Sequence, residues 1–207
     1  QVAKLVEEAR VGDLVYVCDA GTPGISDPGS HIVEAVLEAG IRVLSVPGPS
    51  ALSTALSVSG FPAAPSFFAG FAPKKGRENW VIRLLKRTET LVVFEGPSRI
   101  RDLVKRCANV SPERKASLCR ELSKRHEEVL RGTLTSLDGE LVDHENLKGE
   151  MVLVIGPGSS KGSDDSESLK VDTHSSIAKA LASRWGVNKQ DVYRELTKLD
   201  EKYGRGN

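Results

Sequence analysis

The chain has 207 residues, 39% hydrophobic and 28% charged, and its 29 basic and 28 acidic side chains leave a net charge of +1. This is the balance of a water-soluble globular protein with a real core. Overall charge argues neither for nor against nucleic acid, so any basic surface has to come from local clustering. No apolar run approaches the ~18 residues of a membrane span, no signal peptide is visible, and Cys18, Cys107 and Cys119 are too scattered for a disulfide framework or a metal site.

Residues 2–10 carry Val2, Leu5 and Val6 at helical spacing. Leu14–Cys18 is almost wholly apolar, the pattern of a buried parallel strand. A loop rich in Gly and Pro follows from Asp19 to Gly29, and then a helix over His31–Ala39, stopped by Gly40. Ile41–Val46 reads as a second apolar strand, ended by Pro47-Gly48-Pro49. Ser50–Ser57 opens a further helix with Ser50 at its N-cap. Strand, loop and helix occur twice in succession, the pattern of an α/β sheet.

The texture changes near Phe61-Pro62. Phe67, Phe68 and Phe71 lie in a Pro-rich segment that leads into a basic helix over 76–87. Strands are expected at Leu91–Phe94, Ala116–Arg120, Glu127–Thr133 and Met151–Ile155, and a helix at Ser98–Cys107. These elements give an N-terminal lobe over 1–60, incomplete at its start, and a second α/β lobe over 61–157. Residues 158–171 are small and polar, a flexible linker. Residues 172–207 form a two-helix unit, with helices over Ser175–Trp185 and Lys189–Lys202.

The segment Asp19-Ala20-Gly21-Thr22-Pro23-Gly24-Ile25-Ser26-Asp27-Pro28-Gly29 sits between the first expected strand and a helix, where open α/β sheets bind ligands. Small residues admit a ligand to the backbone, and prolines stiffen the loop. It matches neither a GxGxxG nor a GxxxxGK[ST] pattern, so nucleotide-phosphate binding is disfavoured. Val46-Pro47-Gly48-Pro49-Ser50-Ala51 occupies the equivalent place after the second expected strand. Two stiff small-residue loops at neighbouring strand ends suit a neutral adenosine-type ligand read by backbone groups.

This pair of loops resembles the cofactor-binding loops of the tetrapyrrole-methylase superfamily. The DAGTP and SDPG form is similar to the branch that 2'-O-methylates a cytidine ribose in small-subunit (16S-type) ribosomal RNA. Further similarities follow in order: Phe71-Ala72-Pro73, Phe94-Glu95 with Ser98-Arg99, Arg120-Glu121-Leu122-Ser123-Lys124 with His126-Glu127-Glu128, and Lys148-Gly149-Glu150-Met151-Val152. The resemblance covers residues 1–157 and extends to the terminal two-helix unit.

It implies two α/β lobes of the tetrapyrrole-methylase fold with a cofactor cleft between them, plus a small C-terminal helical unit. The implied cofactor is S-adenosyl-L-methionine. Asp19, Ala20, Gly21, Thr22 and Ile25 would line it from the first loop, Ser50 and Ala51 from the second, and Glu95, Leu122 and Met151 from the second lobe. The aspartates Asp19 and Asp27 equally suit loop-capping carboxylates. Glu95, Arg99 and Lys124 are the catalytic candidates, and Arg120 and Glu127 stand beside them. Lys74, Lys75, Arg77, Arg99 and Arg120 are the RNA-binding candidates, because basic residues beside Phe71 and Trp80 suit single-stranded RNA.

The implied partners are ribosomal RNA and the small ribosomal subunit, with no membrane, and the implied assembly is a homodimer. The implied location is cytoplasmic, or organellar if a transit segment precedes the chain. The superfamily's opening strand and its Glu-Asp-Thr-Arg motif do not occur here, and the chain begins at Gln1. The natural N-terminus is therefore expected upstream. Two other readings stay open: a same-fold methyltransferase acting on a tetrapyrrole or a modified protein side chain, and a non-catalytic RNA-binding protein of this fold.

Overall fold

The computed structural model describes residues 2–143, 147–158, 178, 182 and 187–203. Residues 1–159 form one compact unit and residues 160–207 a second. The first unit begins with three helices, α1 (Val2–Val11), α2 (Ser30–Glu38) and α3 (Ala51–Ser59). Then come β1 (Ser66–Phe71), α4 (Arg77–Leu85), β2 (Thr90–Glu95), α5 (Ile100–Val110), β3 (Lys115–Arg120), β4 (Glu128–Thr133), α6 (Leu134–Asp143) and β5 (Met151–Ile155). In the second unit the described helix is α7 (Lys189–Tyr203). The expected linker beyond Gly158 and the expected helix over 175–185 lie outside the described residues, apart from positions 178 and 182.

The five strands form one mixed sheet in the order β1-β2-β5-β3-β4. β1 and β2 run parallel, and the other three pairs are antiparallel. Period-2 alternation sorts the strand side chains between two cores. Leu91, Val93, Ala116, Leu118, Met151, Leu153 and Ile155 face α4, α5 and α6 in the larger core. Val92, Cys119, Val152 and Val154 face α3 in the smaller one. β5 is covered on both faces and is buried throughout, which explains why its sequence MVLVI does not alternate.

The two apolar runs expected as strands, Leu14–Cys18 and Ile41–Val46, are irregular chain in this structure. Val15, Val17, Leu44 and Val46 are exposed. Apolar composition does not make a strand; a ladder partner does. Neither run is paired to the five-stranded sheet.

Two elements escaped the sequence reading. β1 lies in the Phe-rich segment, where Phe67-Phe68-Ala69-Gly70 shows no alternation. α6 buries Leu134, Leu137 and Leu141 on one stripe. That i, i+3, i+7 spacing is a legible helix signal, weakened by Gly139.

Among the described residues, no helix is long and apolar enough to cross a membrane. No cluster of three or more His, Cys, Asp or Glu side chains has the arrangement of a metal site among them either.

Candidate functional site

The loop Asp19–Gly29 turns back on itself through left-handed backbone at Gly21, Gly24 and Ser26, with Ile25 N–H donating to Thr22 O. Its end is fixed from Tyr16, whose hydroxyl donates to Pro28 O. Gly29 is required at its position. Its φ is +145°, and a Cβ there would lie 2.8 Å from the Tyr16 ring. Thr22 Oγ1 donates to Pro49 O at 3.1 Å, so this loop is joined to the second small-residue loop. Ser50 takes the N-cap position of α3 in extended backbone, yet its hydroxyl makes no capping bond.

These loops form one wall of a cavity of about 560 Å³. The rest comes from Phe71, Phe94, the turn Glu95-Gly96-Pro97 and the segment Gly149–Val152. The volume is that of a site for a small organic cofactor. Among the described residues, its charged lining side chains are Asp19, Asp27, Glu95 and Glu150, all acidic, with no Lys, Arg or His. Glu95 and Glu150 are ion-paired from outside the lining, by Arg77 and Arg99 and by Lys124, so the negative field in the cavity comes from Asp19 and Asp27 and favours a ligand carrying positive charge. The Cys18 thiol is pushed up by desolvation and by the Asp27 carboxylate, so it stays protonated at neutral pH and is no nucleophile.

Glu95 is 1% exposed, the most buried charged side chain among the described residues. Its Oε2 accepts from Arg77 Nη2 at 2.7 Å, and its Oε1 accepts from Arg99 Nε and from Gly96 N–H, both at 2.8 Å. Arg77 is itself 9% exposed, and its Nε lies 3.3 Å from Asp102, within ion-pair range but off the hydrogen-bond direction. Asp102 in turn binds Arg106, which reaches Glu78. The Asp102 carboxyl is held below its ordinary range, chiefly by the hydrogen bond from Arg106. A buried carboxylate with this many donors is a fixed anchor for the Gly96-Pro97 turn.

A second polar group borders the cavity at Glu150. Lys124 Nζ lies 3.0 Å from both Glu121 Oε1 and Glu150 Oε2. Glu121 N–H donates to Glu150 O, and Glu150 N–H donates back to Glu121 Oε1. The hairpin carrying them has left-handed backbone at Glu121 and Ser123. The two carboxylates push the Lys124 ammonium up from its ordinary value, and the Glu121 carboxyl is lowered first by the Glu150 backbone and then by Lys124. Lys124 is therefore a standing cation and not a proton acceptor at neutral pH.

Of the residues singled out in the sequence, Asp19, Ala20, Gly21, Thr22, Ile25, Ser50, Ala51, Glu95 and Met151 line the cavity. Leu122 packs against the smaller core and is not part of the lining. Arg99 stands behind the turn on Glu95, and Arg120 pairs with Glu128 at 3.0 Å. Lys74 and Lys75 are exposed, whereas the Arg77 guanidinium is engaged with Glu95. Tyr16, Phe71, Pro97 and Glu150 also line the cavity without having been assigned to the cofactor. Glu150 was within reach, because it sits in the segment Lys148–Val152 already set apart; Tyr16 lay hidden in an expected buried strand.

Comparison with known proteins points to one family. The family described as Tetrapyrrole (Corrin/Porphyrin) Methylases matches residues 1–138. A protein of Hydrogenobaculum sp. named ribosomal RNA small subunit methyltransferase I is 39% identical over 157 residues, 75% of this chain and 68% of that protein. One of the same name from Mesorhizobium japonicum is 36% identical over 214 residues, 98% of this chain and 73% of that protein. Among solved structures, uroporphyrin-III-C-methyltransferase from Thermus thermophilus aligns with a TM-score of 0.55 at 25% identity, covering 75% of this chain and 69% of that one. A family match over two thirds of the sequence and relatives that align along its length agree on one assignment: the chain belongs to the tetrapyrrole (corrin/porphyrin) methylase family, among its ribosomal RNA small subunit methyltransferase I members.

Proposed function

We propose that this protein is an S-adenosyl-L-methionine-dependent methyltransferase that 2'-O-methylates a cytidine ribose in small-subunit ribosomal RNA. One observation carries the cofactor: a cavity of about 560 Å³, walled by two joined small-residue loops, whose charged lining groups are all carboxylates. The cofactor has no phosphate, and its sulfonium and ammonium outnumber its one carboxylate, so the Asp19 and Asp27 carboxylates fit it. The relatives' printed name supplies the RNA substrate. The lining draws on both 1–60 and 61–157, which supports two lobes contributing to one site.

When bound, the cofactor supplies an activated methyl group for in-line displacement by a ribose hydroxyl. The chain's own residues orient the reactants and hold charge. Asp19, Ala20, Gly21, Thr22 and Ile25 face the cofactor from one loop, and Ser50 and Ala51 from the next, with the Ser50 hydroxyl unspent on capping. Glu95 fixes the Gly96-Pro97 turn with its charge balanced by Arg77 and Arg99. It is a positioning residue, since its lone pairs are committed to three donors. Lys124 sits behind Glu150 with its charge taken up by Glu121 and Glu150, so it is a positioning residue that holds the Gly149–Met151 part of the wall in place. Lys74 and Lys75, both exposed, supply cations for RNA, whereas Arg77, Arg99 and Arg120 are held by Glu95 and Glu128. An rRNA substrate is consistent with a cytoplasmic protein, or an organellar one, and the family resemblance implies a homodimer, which sedimentation tests.

The test is transfer of labelled methyl from S-adenosyl-L-methionine to small ribosomal subunits, followed by nucleoside analysis. Label in 2'-O-methylcytidine is the expected result. Label in a tetrapyrrole and none in RNA contradicts the substrate, and label in neither contradicts the enzyme.

A further inference from the structure

β1 and β2 fall out of register next to the cavity. Phe68 lies opposite Val92 and Phe71 opposite Phe94, so β1 spends three steps where β2 spends two. The extra residue is a β-bulge, and Gly70 within it takes φ +66°. Regular alternation would group Phe71 with Phe67 and Ala69, which pack on the larger core. The bulge turns it instead to the face shared by Phe68 and Phe94.

There the Phe71 ring lines the cavity and stays 54% exposed. It meets the Phe94 ring edge to face, with centroids 5.7 Å apart at 73°. Phe94 meets Phe68 in the same way at 4.8 Å and 65°. Three rings thus run from the smaller core to the cavity wall, and the outermost leaves half its surface open. The next residue, Ala72, returns to the larger core, so the fold does not need an exposed ring here for packing. Lys74 and Lys75 follow within four positions, both exposed.

We propose that Phe71 is a stacking platform for a nucleobase of the RNA substrate, set at the cavity by the bulge at Gly70, with Lys74 and Lys75 taking the neighbouring phosphates. This rests on the RNA-methyltransferase reading above. A nucleotide whose ribose enters the cavity has to leave its own stack, and a splayed base finds a π face on an aromatic side chain. Phe71 is held from behind by Phe94, so little ring freedom is lost on stacking.

The test uses the full chain with Phe71→Ala, Phe71→Leu and Phe71→Trp. The readouts are methyl transfer to small-subunit RNA, calorimetric affinity for S-adenosyl-L-methionine, and thermal midpoint. Loss of one base–aromatic stack lowers kcat/KM about 5- to 150-fold in Phe71→Ala, mainly through KM. Phe71→Leu, apolar without a π face, shows the same loss, and Phe71→Trp recovers most of it. Cofactor affinity stays at the wild-type value, and the thermal midpoint falls by no more than the few degrees that loss of the Phe94 ring contact brings. Undiminished transfer by Phe71→Ala overturns the proposal, as does recovery by Leu equal to that by Trp. Cofactor affinity falling in step with transfer also overturns it and assigns the ring to the cofactor. Absence of RNA methylation by the wild-type chain defeats the underlying reading as well, which separates the two failures.

Discussion

Arg77 Nη2 and Glu95 Oε2 are 2.7 Å apart, in side chains 9% and 0% exposed, and this pair ties the start of α4 to the cavity-lining end of β2. Breaking it leaves a buried carboxylate with Arg99 as its remaining charged partner. Arg77→Met is expected to cost about 3 kcal/mol in urea unfolding. Adding Glu95→Gln to it restores much of that loss, because the buried charge goes too. A single variant as stable as wild type contradicts the anchoring role.

Two glycines respond in opposite directions to alanine. A Cβ at Gly149 would lie 2.3 Å from Glu121 Oε1, at φ +92°. Gly149→Ala therefore displaces Glu121 from Lys124 and the Glu150 amide, at a cost of about 1–3 kcal/mol. Gly139 sits within α6 with nothing within 4 Å of a built Cβ. Gly139→Ala is expected to stabilise by about 0.5–1 kcal/mol. Thermal midpoints of the two variants measure the contrast.

Arg114 is 8% exposed and has no carboxylate partner in its bonds; it donates instead to four carbonyls, those of Gly156, Leu85, Arg87 and Glu89, at 2.8–3.1 Å. Burial lowers the guanidinium from its ordinary value. One planar fork joins the α4–β2 turn to the end of β5. A lysine carries three donors on one atom and cannot span that array. Arg114→Lys is expected to destabilise by about 2–3 kcal/mol in urea, through carbonyls left unpaired.

The hairpin at Glu121 has a pH dependence of defined sign. The folded carboxyl is depressed from its value of 4.5, so its contribution is complete above that pH and is lost as pH falls through the folded value. Lys124 is raised from 10.5, so its contribution is complete below that and fades only as pH rises through the folded value. The bond from Glu150 N–H to Glu121 Oε1 is thus expected to hold through neutral pH and to weaken only as pH falls through the depressed folded value. Hydrogen exchange at Glu150, corrected for intrinsic rates, reads this directly. Protection that weakens already above the ordinary carboxyl value of 4.5 contradicts it.

Most of the sheet and much of the site were legible in the chain. Met151–Ile155 reads as a buried strand because its whole length is apolar, and the order of motifs brought Asp19, Ser50 and Glu95 to one cavity. Composition misled at Leu14–Cys18, whose apolar residues have no ladder partner here. Charge misled at Arg77, which sits in a basic stretch, yet its guanidinium turns inward to Glu95. The facing of Phe71 depends on a one-residue register shift, which no spacing rule reveals before the strand partner is known.

The central claim is that the acidic, small-residue cavity holds S-adenosyl-L-methionine. Isothermal calorimetry with the cofactor tests it most directly, on the wild-type chain and on Ala20→Trp, where an exposed lining residue becomes a bulky one without touching the core. Binding by the wild type, and its loss in a variant with the same thermal midpoint, is the predicted result. Equal binding by both, or none by the wild type, contradicts the account.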